Sequence, residues 1–278
     1  MRVEVLSDHG GQQLAQTGRQ LRAADTNVVA RQRSYQRAQQ DLESSRRAKS
    51  FWRRLFAFST PTEQQALAQT ENAWQGVQQA VAGREQLDQR VRQQAAGVQG
   101  ELDLVLGLSG LDDSWTMLRG YRNRRGETDS VLVGPLGVWA VEVKRRRVRV
   151  HAVGEQWWYE KLSARGNVVE AGWAVDGGGR TWARQVNDVA DDLAAWLARN
   201  GHPTRIRTAV MLMHEQAQFG RCEHLTVTMI GTHPAQLLDA IGRYASPLTA
   251  GECQQIVALI CRDHRFHEQR RNRPRRGD

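Results

Sequence analysis

The chain reads as an α/β protein, a mixed-sheet core preceded by a long N-terminal α-helical, coiled-coil-like hairpin. Three observations carry that expectation. Apolar residues recur at strict seven-residue intervals near the start, two β-branched runs flank a Gly-Pro-Leu-Gly turn in the middle, and strand and helix patterns follow one another through the remainder.

The first hundred residues are rich in Gln, Ala and Arg and hold a single proline, Pro61. Leu14, Leu21, Val28, Tyr35 and Leu42 lie seven apart, the repeat of one face of a long helix. The accompanying positions are Thr17, Ala24, Arg31, Ala38 and Ser45, so the stripe is narrow and the helix needs a partner to be stable in water. Thr60-Pro61-Thr62-Glu63 starts that partner, with an N-cap, proline at the first helical position and glutamate at the third. From there Leu67, Trp74, Val77, Val81, Leu87, Val91, Val98, Leu102 and Val105 continue a helical stripe. An antiparallel hairpin is expected, and its glutamine-rich heptads suit homo-oligomerisation or a stalk. Its tip, Ser50–Phe58, mixes aromatic and basic residues. Base stacking, insertion at a membrane surface, an oligomer contact and simple closure of the hairpin all fit that composition.

Residues 129–133 and 138–144 are β-branched and apolar, and Gly134-Pro135-Leu136-Gly137 between them has the chemistry of a tight turn. Two antiparallel strands follow. Gln156–Tyr159 reads as a further strand and Gly177–Gly179 as a loop. Arg180–Ala198 is a helix with Val186, Val189, Leu193, Trp196 and Leu197 as its apolar stripe and Gln185 at the stripe's edge. Thr208–Met213 and Leu225–Ile230 extend the sheet, and Pro234–Tyr244 and Thr249–His264 are closing helices.

Pairing Val133 with Val138 across the turn puts Asp129 opposite Glu142, with both side chains on one face. Lys144, two residues beyond Glu142, shares that face. The rest of the second strand is apolar on both faces, which marks it as a central strand, so charges there need a reason. Two convergent carboxylates repel unless a cation or a shared proton compensates, and oxygen ligands suit Mg²⁺ (or Mn²⁺). Asp129 and Glu142 are therefore candidate metal ligands, with Lys144 placed to orient a water or offset transition-state charge. A solvated salt-bridge cluster at a strand end is the competing reading.

The stretch from about Gly100 to the mid-230s resembles the nuclease-related domain, NERD, a branch of the PD-(D/E)XK superfamily with a restriction-endonuclease-like core. The resemblance rests on Gly100-Glu101, on Glu127-Thr128-Asp129 followed by the hairpin to Glu142-Val143-Lys144, and on a later helix carrying Gln185. It implies Asp129 and Glu142 as metal ligands, Lys144 as the catalytic lysine, and Glu101 as a further acidic residue of the site. Gln185 matches the family's helical glutamine, which touches substrate or orients the site. Two positions depart from the family pattern: Arg145-Arg146-Arg147 follows the lysine in place of a polar or aromatic residue and a small turn, and Thr128 stands where the superfamily's name has proline. Neither touches the three core groups. The implied organisation is a helical hairpin over 1–98, a NERD-like domain with closing helices over 99–264, and a basic tail without fixed order over 265–278.

A net charge of +9 and a pI near 10.3 favour an acidic partner, of which nucleic acid is the commonest. Arg145, Arg146, Arg147 and Arg149 beside the site could neutralise backbone phosphates, as could the arginines of the tail, giving steep salt dependence. Three cysteines without a close pairing motif suit a reducing, cytoplasmic setting, and Cys253, Cys261, His264 and His267 make a poor zinc set because they are strung along one helix. No stretch reaches the roughly 20 apolar residues of a membrane span, so integral membrane association is not expected. The sequence thus points to a Mg²⁺-dependent deoxyribonuclease, or a protein that otherwise processes DNA with that site. A non-catalytic DNA-binding or assembly module on the same fold is the alternative.

Overall fold

The computed structural model describes residues 1–47 and 61–272, so the expected tip at Ser50–Phe58 and the last residues of the basic tail lie outside it. The chain divides into two compact units, Gly11–Ala95 and Met1–Gly10 together with Ala96–Asp278.

The first unit is built from helices α1 (His9–Arg47) and α2 (Pro61–Gly107), which run antiparallel. Thr70 Oγ1 donates to the Ala38 carbonyl at 3.1 Å, and Arg84 pairs with Asp25 at 3.0 Å, so residues pair with a nearly constant index sum. On α1 the heptad residues Leu14, Leu21, Val28 and Tyr35 are half-buried and Leu42 is buried, as the seven-residue spacing predicts. The α2 stripe differs from expectation. Its buried line runs through Glu63, Ala66 and Val77, with Thr70 and Ala73 half-buried, whereas Leu67 and Trp74 are exposed. Those two sit one position off the seam, and small residues on the seam let the helices approach closely. Trp74 instead lies against Tyr35 with ring centroids 5.2 Å apart.

The second unit holds a six-stranded sheet in the order β1-β2-β3-β4-β8-β10 and a four-stranded sheet in the order β7-β6-β5-β9. The strands are β1 (Arg2–Val5), β2 (Thr116–Asn123), β3 (Gly126–Gly134), β4 (Gly137–Lys144), β5 (Val148–Val153), β6 (Gln156–Leu162), β7 (Val168–Trp173), β8 (Ile206–Leu212), β9 (Gln218–Glu223) and β10 (Met229–Gly231). The larger sheet is mixed: β3 runs antiparallel to both β2 and β4, while β1, β8 and β10 join parallel to their neighbours. Helix α3 (Trp182–Arg199) starts at the N-cap Thr181, whose side chain accepts from the Arg184 amide. Helix α4 (Pro234–Arg243) and helix α5 (Ala250–Asn272) follow, and α5 continues into the stretch expected as a tail. Strands β1, β2, β5, β7 and β9 are additions to the elements read from sequence, and the strand expected over 225–230 shortens to Met229–Gly231.

β4 is the central strand. Every residue from Gly137 to Val143 is buried, and Lys144 alone is partly exposed. Trp139, Val141 and Val143 pack with Leu104, Leu108, Leu237 and Ile241 on one face. Val138 and Val131 meet Val189, Leu193, Ile256 and Ile260 on the other, and Ala140 joins Trp182, Val186 and the second sheet's Val150 and Trp157. Each such apolar side chain contributes roughly 1.5–3 kcal/mol. Together they outweigh the several kcal/mol that holding a charged carboxylate among them costs.

Candidate active site

The β3–β4 ladder pairs Gly134 with Gly137, Val133 with Val138, Leu132 with Trp139, Val131 with Ala140 and Ser130 with Val141. Asp129 and Glu142 come next in that register, as the turn predicts, and there the backbone pairing stops. Side chains take over: Thr128 Oγ1 donates to the Val141 carbonyl at 3.0 Å, and the Val143 amide donates to Asp129 Oδ2 at 2.5 Å. The other neighbour of β3 also skips this point. β2 pairs Arg119 with Ser130 and Tyr121 with Thr128, omitting Gly120. Gly120 has φ +70°, and a Cβ there would lie 2.3 Å from the Ser7 carbonyl oxygen, so glycine is required. Asp129 thus sits where β3 is released on both edges.

Glu142 is fully inside, its side chain 2 % exposed, and Lys144 Nζ donates to its Oε1 at 2.5 Å. Its Oε2 is buried with no hydrogen-bond partner. Burial first, and then the Asp129 carboxylate, push the Glu142 pKa up to about 8 despite Lys144. Burial likewise raises Asp129, with Lys144 and the Val143 amide opposing. Lys144 is held above its ordinary value: burial works against the ammonium, and Glu142 and Asp129 outweigh it. An unsatisfied buried oxygen costs about 1–3 kcal/mol, and more when charged. A hard divalent cation would meet that oxygen and relieve the repulsion, and the two carboxylates fit such an ion. Among the described residues no three His, Cys, Asp or Glu side chains gather around a point, so an ion held here would draw its remaining ligands from water or phosphate. Cys253, Cys261, His264 and His267 likewise form no zinc group. They are strung along α5, and His264 Nδ1 accepts from the Arg122 amide.

Glu101, on the last turns of α2, receives Arg119 Nη2 at 2.8 Å. Its pKa is raised by burial and then by Asp129, with Arg119 opposing, which puts it in the same electrostatic cluster. Gly100 lets this part of α2 approach the end of β4, since a Cβ there would meet Arg145 Cβ at 2.9 Å and Val143 Cγ1 at 3.3 Å. On α3, the Trp182 ring lies 6.0 Å from Lys144 Nζ, and Gln185 is one turn further along. Gln185 is half-buried, its Oε1 buried without a hydrogen-bond partner, and no direct contact joins it to the carboxylates.

The four arginines diverge. Arg145 pairs with Asp103 at 3.3 Å, and Arg149 with Glu160 at 2.9 Å and Gln218 at 3.1 Å. Arg146 is exposed and lies over Trp182 and Tyr159, 5.6 and 6.0 Å from their centroids. Arg147 is half-buried with its Nε unpartnered. Arg119, Thr128, Gly120 and Trp182 complete the surroundings and were not legible as site residues. The local signals that could have pointed to them are Thr181, a helix-capping residue type just before Trp182, and the isolated Gly120.

Residues 96–213 match the family model of the nuclease-related domain, a span that holds Glu101, Asp129, Glu142, Lys144 and Gln185. The match ends before the mid-230s reached by the sequence resemblance. Comparison with curated proteins and with solved structures gave no match. Over residues 96–213, therefore, this chain carries a nuclease-related domain, NERD, of the PD-(D/E)XK-like superfamily.

Proposed function

We propose that this domain hydrolyses DNA phosphodiester bonds with the help of Mg²⁺ or Mn²⁺ held by Asp129 and Glu142. The observation that carries the reading is the buried, unpartnered Oε2 of Glu142 beside a second carboxylate and a lysine, on the central strand of a nuclease-related domain. When bound, the cation would polarise the phosphate and lower the pKa of an attacking water. Lys144, held as an ammonium by its two acidic neighbours, cannot take a proton. Its part is to hold the water by hydrogen bonding or to neutralise charge on the phosphate oxygens. Glu101, tied to Arg119, sets the local negative charge, and Gln185 has a free carbonyl oxygen for substrate or water. Arg146, exposed and without a carboxylate partner among the described residues, is placed to grip the backbone. Arg145 and Arg149 would first have to leave Asp103 and Glu160.

One observation favours a non-catalytic DNA-binding module instead: Lys144 already compensates Glu142 within the chain. Incubating the full chain with labelled single- and double-stranded DNA and Mg²⁺ or Mn²⁺ separates the two. Cleavage that is lost in EDTA and in Asp129→Ala and Lys144→Ala supports the nuclease. Salt-dependent binding without cleavage in either metal overturns it.

A further inference from the structure

Away from the carboxylate cluster, α3, α5 and the β2–β3 turn enclose a cleft of about 410 Å³ lined by Arg124, Trp196, Arg199, Arg262 and Phe266, with Asp192, Asp263 and His267. That volume lies within the roughly 300–1,000 Å³ of small-molecule sites. Two guanidinium groups share one indole here, Arg262 Cζ at 5.2 Å and Arg199 Cζ at 6.0 Å from the Trp196 centroid. Like charges on one ring repel, and stacking fixes their planes while leaving N–H edges for a ligand.

The acids of the cleft are paired with other groups, although the Arg199 charge reaches Asp263 and opposes the upward push of burial on its pKa. Asp192 is taken by Arg124 at 2.6 Å, and Asp263 accepts from Tyr121 at 2.6 Å and faces His267 at 3.5 Å. Arg262 donates one edge to Asn200 Oδ1, and neither Arg199 nor Arg262 has a carboxylate within ion-pair distance among the described residues. At the rim, Phe266 is 53 % exposed, an aromatic surface with Arg270 5.5 Å from its centroid. Phosphate suits a pair of pre-oriented guanidinium edges, and a base suits an exposed phenyl ring.

We infer that this cleft is a second ligand site and binds a nucleotide unit, its phosphate between Arg199 and Arg262 and its base on Phe266. The site is independent of the proposed hydrolysis, because none of its residues belongs to the carboxylate cluster.

The test is calorimetric titration of the full chain in EDTA, so that no cleavage is needed, with AMP, inorganic phosphate and a five-nucleotide DNA. AMP should bind saturably, at least tenfold more weakly to Arg199→Gln/Arg262→Gln. Phe266→Ala should weaken AMP and leave phosphate unchanged. These residues are exposed, and circular dichroism checks that the variants stay folded. Variant-sensitive binding of the oligonucleotide but not of AMP also supports the site and makes its natural ligand a strand. If neither ligand responds to the double substitution, the site is refuted, and equal affinity for AMP and phosphate refutes the place of the base.

Discussion

Glu142 and Asp263 are both buried acids whose pKa burial raises, yet their oxygens are treated differently. Asp263 has a partner for each: the Tyr121 hydroxyl donates to Oδ2 at 2.6 Å and His267 faces Oδ1 at 3.5 Å. Glu142 has Lys144 on Oε1 and nothing on Oε2. Nearly all buried polar groups in folded proteins are hydrogen-bonded, so an exception calls for an explanation. The satisfied acid locks β2 to α5. The unsatisfied one lies on the central strand, beside Asp129, where β3 drops its pairing on both edges. Burial and a raised pKa are common to both acids, so what separates a structural acid from a candidate catalytic one is the missing partner.

The sharpest way to break that distinction is Glu142→Gln. The amide keeps the shape and removes the charge, so cleavage should fall on the order of 10³-fold, in line with losing a main electrostatic group of a catalytic site. Metal-free stability should stay level or rise, since the repulsion with Asp129 is gone. Gel assays of rate and a thermal melt read both. Full activity in the variant would return Glu142 to the structural class.

A second contrast is in pH. The Glu142 carboxyl has an ordinary pKa of 4.5 and is pushed up to about 8 when folded, so the folded chain binds this proton more tightly than the unfolded chain. Its stabilising effect is complete below about 4.5 and is lost as pH rises toward about 8. Asp129 and Glu101 shift in the same direction and add to it. Metal-free protein should therefore lose several degrees of melting temperature between pH 5 and 8, and Mg²⁺ should restore more of it the higher the pH. A melting temperature that is flat with pH, or a Mg²⁺ effect that shrinks as pH rises, would contradict the placement of the ion.

Asp263→Ala should do the reverse of Glu142→Gln. It strands the Tyr121 hydroxyl in the core, at a cost of about 1–3 kcal/mol in urea unfolding, and leaves the cleavage rate per folded molecule unchanged. Loss of activity without loss of stability would show that the two acids are not separable.

The register that brings the two carboxylates of the candidate site together was far easier to read in the sequence than the sheet around it. Gly134-Pro135-Leu136-Gly137 set a local turn, and a local turn fixes the register of everything it joins, so the approach of Asp129 to Glu142 could be counted. β1 could not be counted, because Arg2–Val5 pairs with Thr116–Arg119 more than a hundred residues away. β2 carries Arg119, Gly120 and Arg122, which break alternation, and the positive φ of Gly120 departs from strand geometry. β7 and β9 are largely exposed, so neither carries the apolar period that marks a strand. β5 alternates correctly, but its first residues merge with the arginine run and read as charge. The same run also hides its partners. Arg145 and Arg149 look free in sequence and are bound to Asp103 and Glu160 in the fold, because their partners come from α2 and β6.

Those arginines give the smallest predicted effect and the finest test. Arg146 lies over Trp182 and Tyr159 without a carboxylate partner, whereas Arg149 is held by Glu160 and Gln218. A single phosphate contact changes affinity about uniformly across sequences and lowers the salt slope by about 1. Arg146→Gln should weaken DNA binding several-fold with that change in slope, and Arg149→Gln should leave both nearly unaltered, because its guanidinium is already engaged. Binding measured across 50–200 mM salt in EDTA separates the two. Equal losses would mean that Arg149 leaves Glu160 when DNA arrives, and the pairing in the free protein would then be a resting state that substrate breaks.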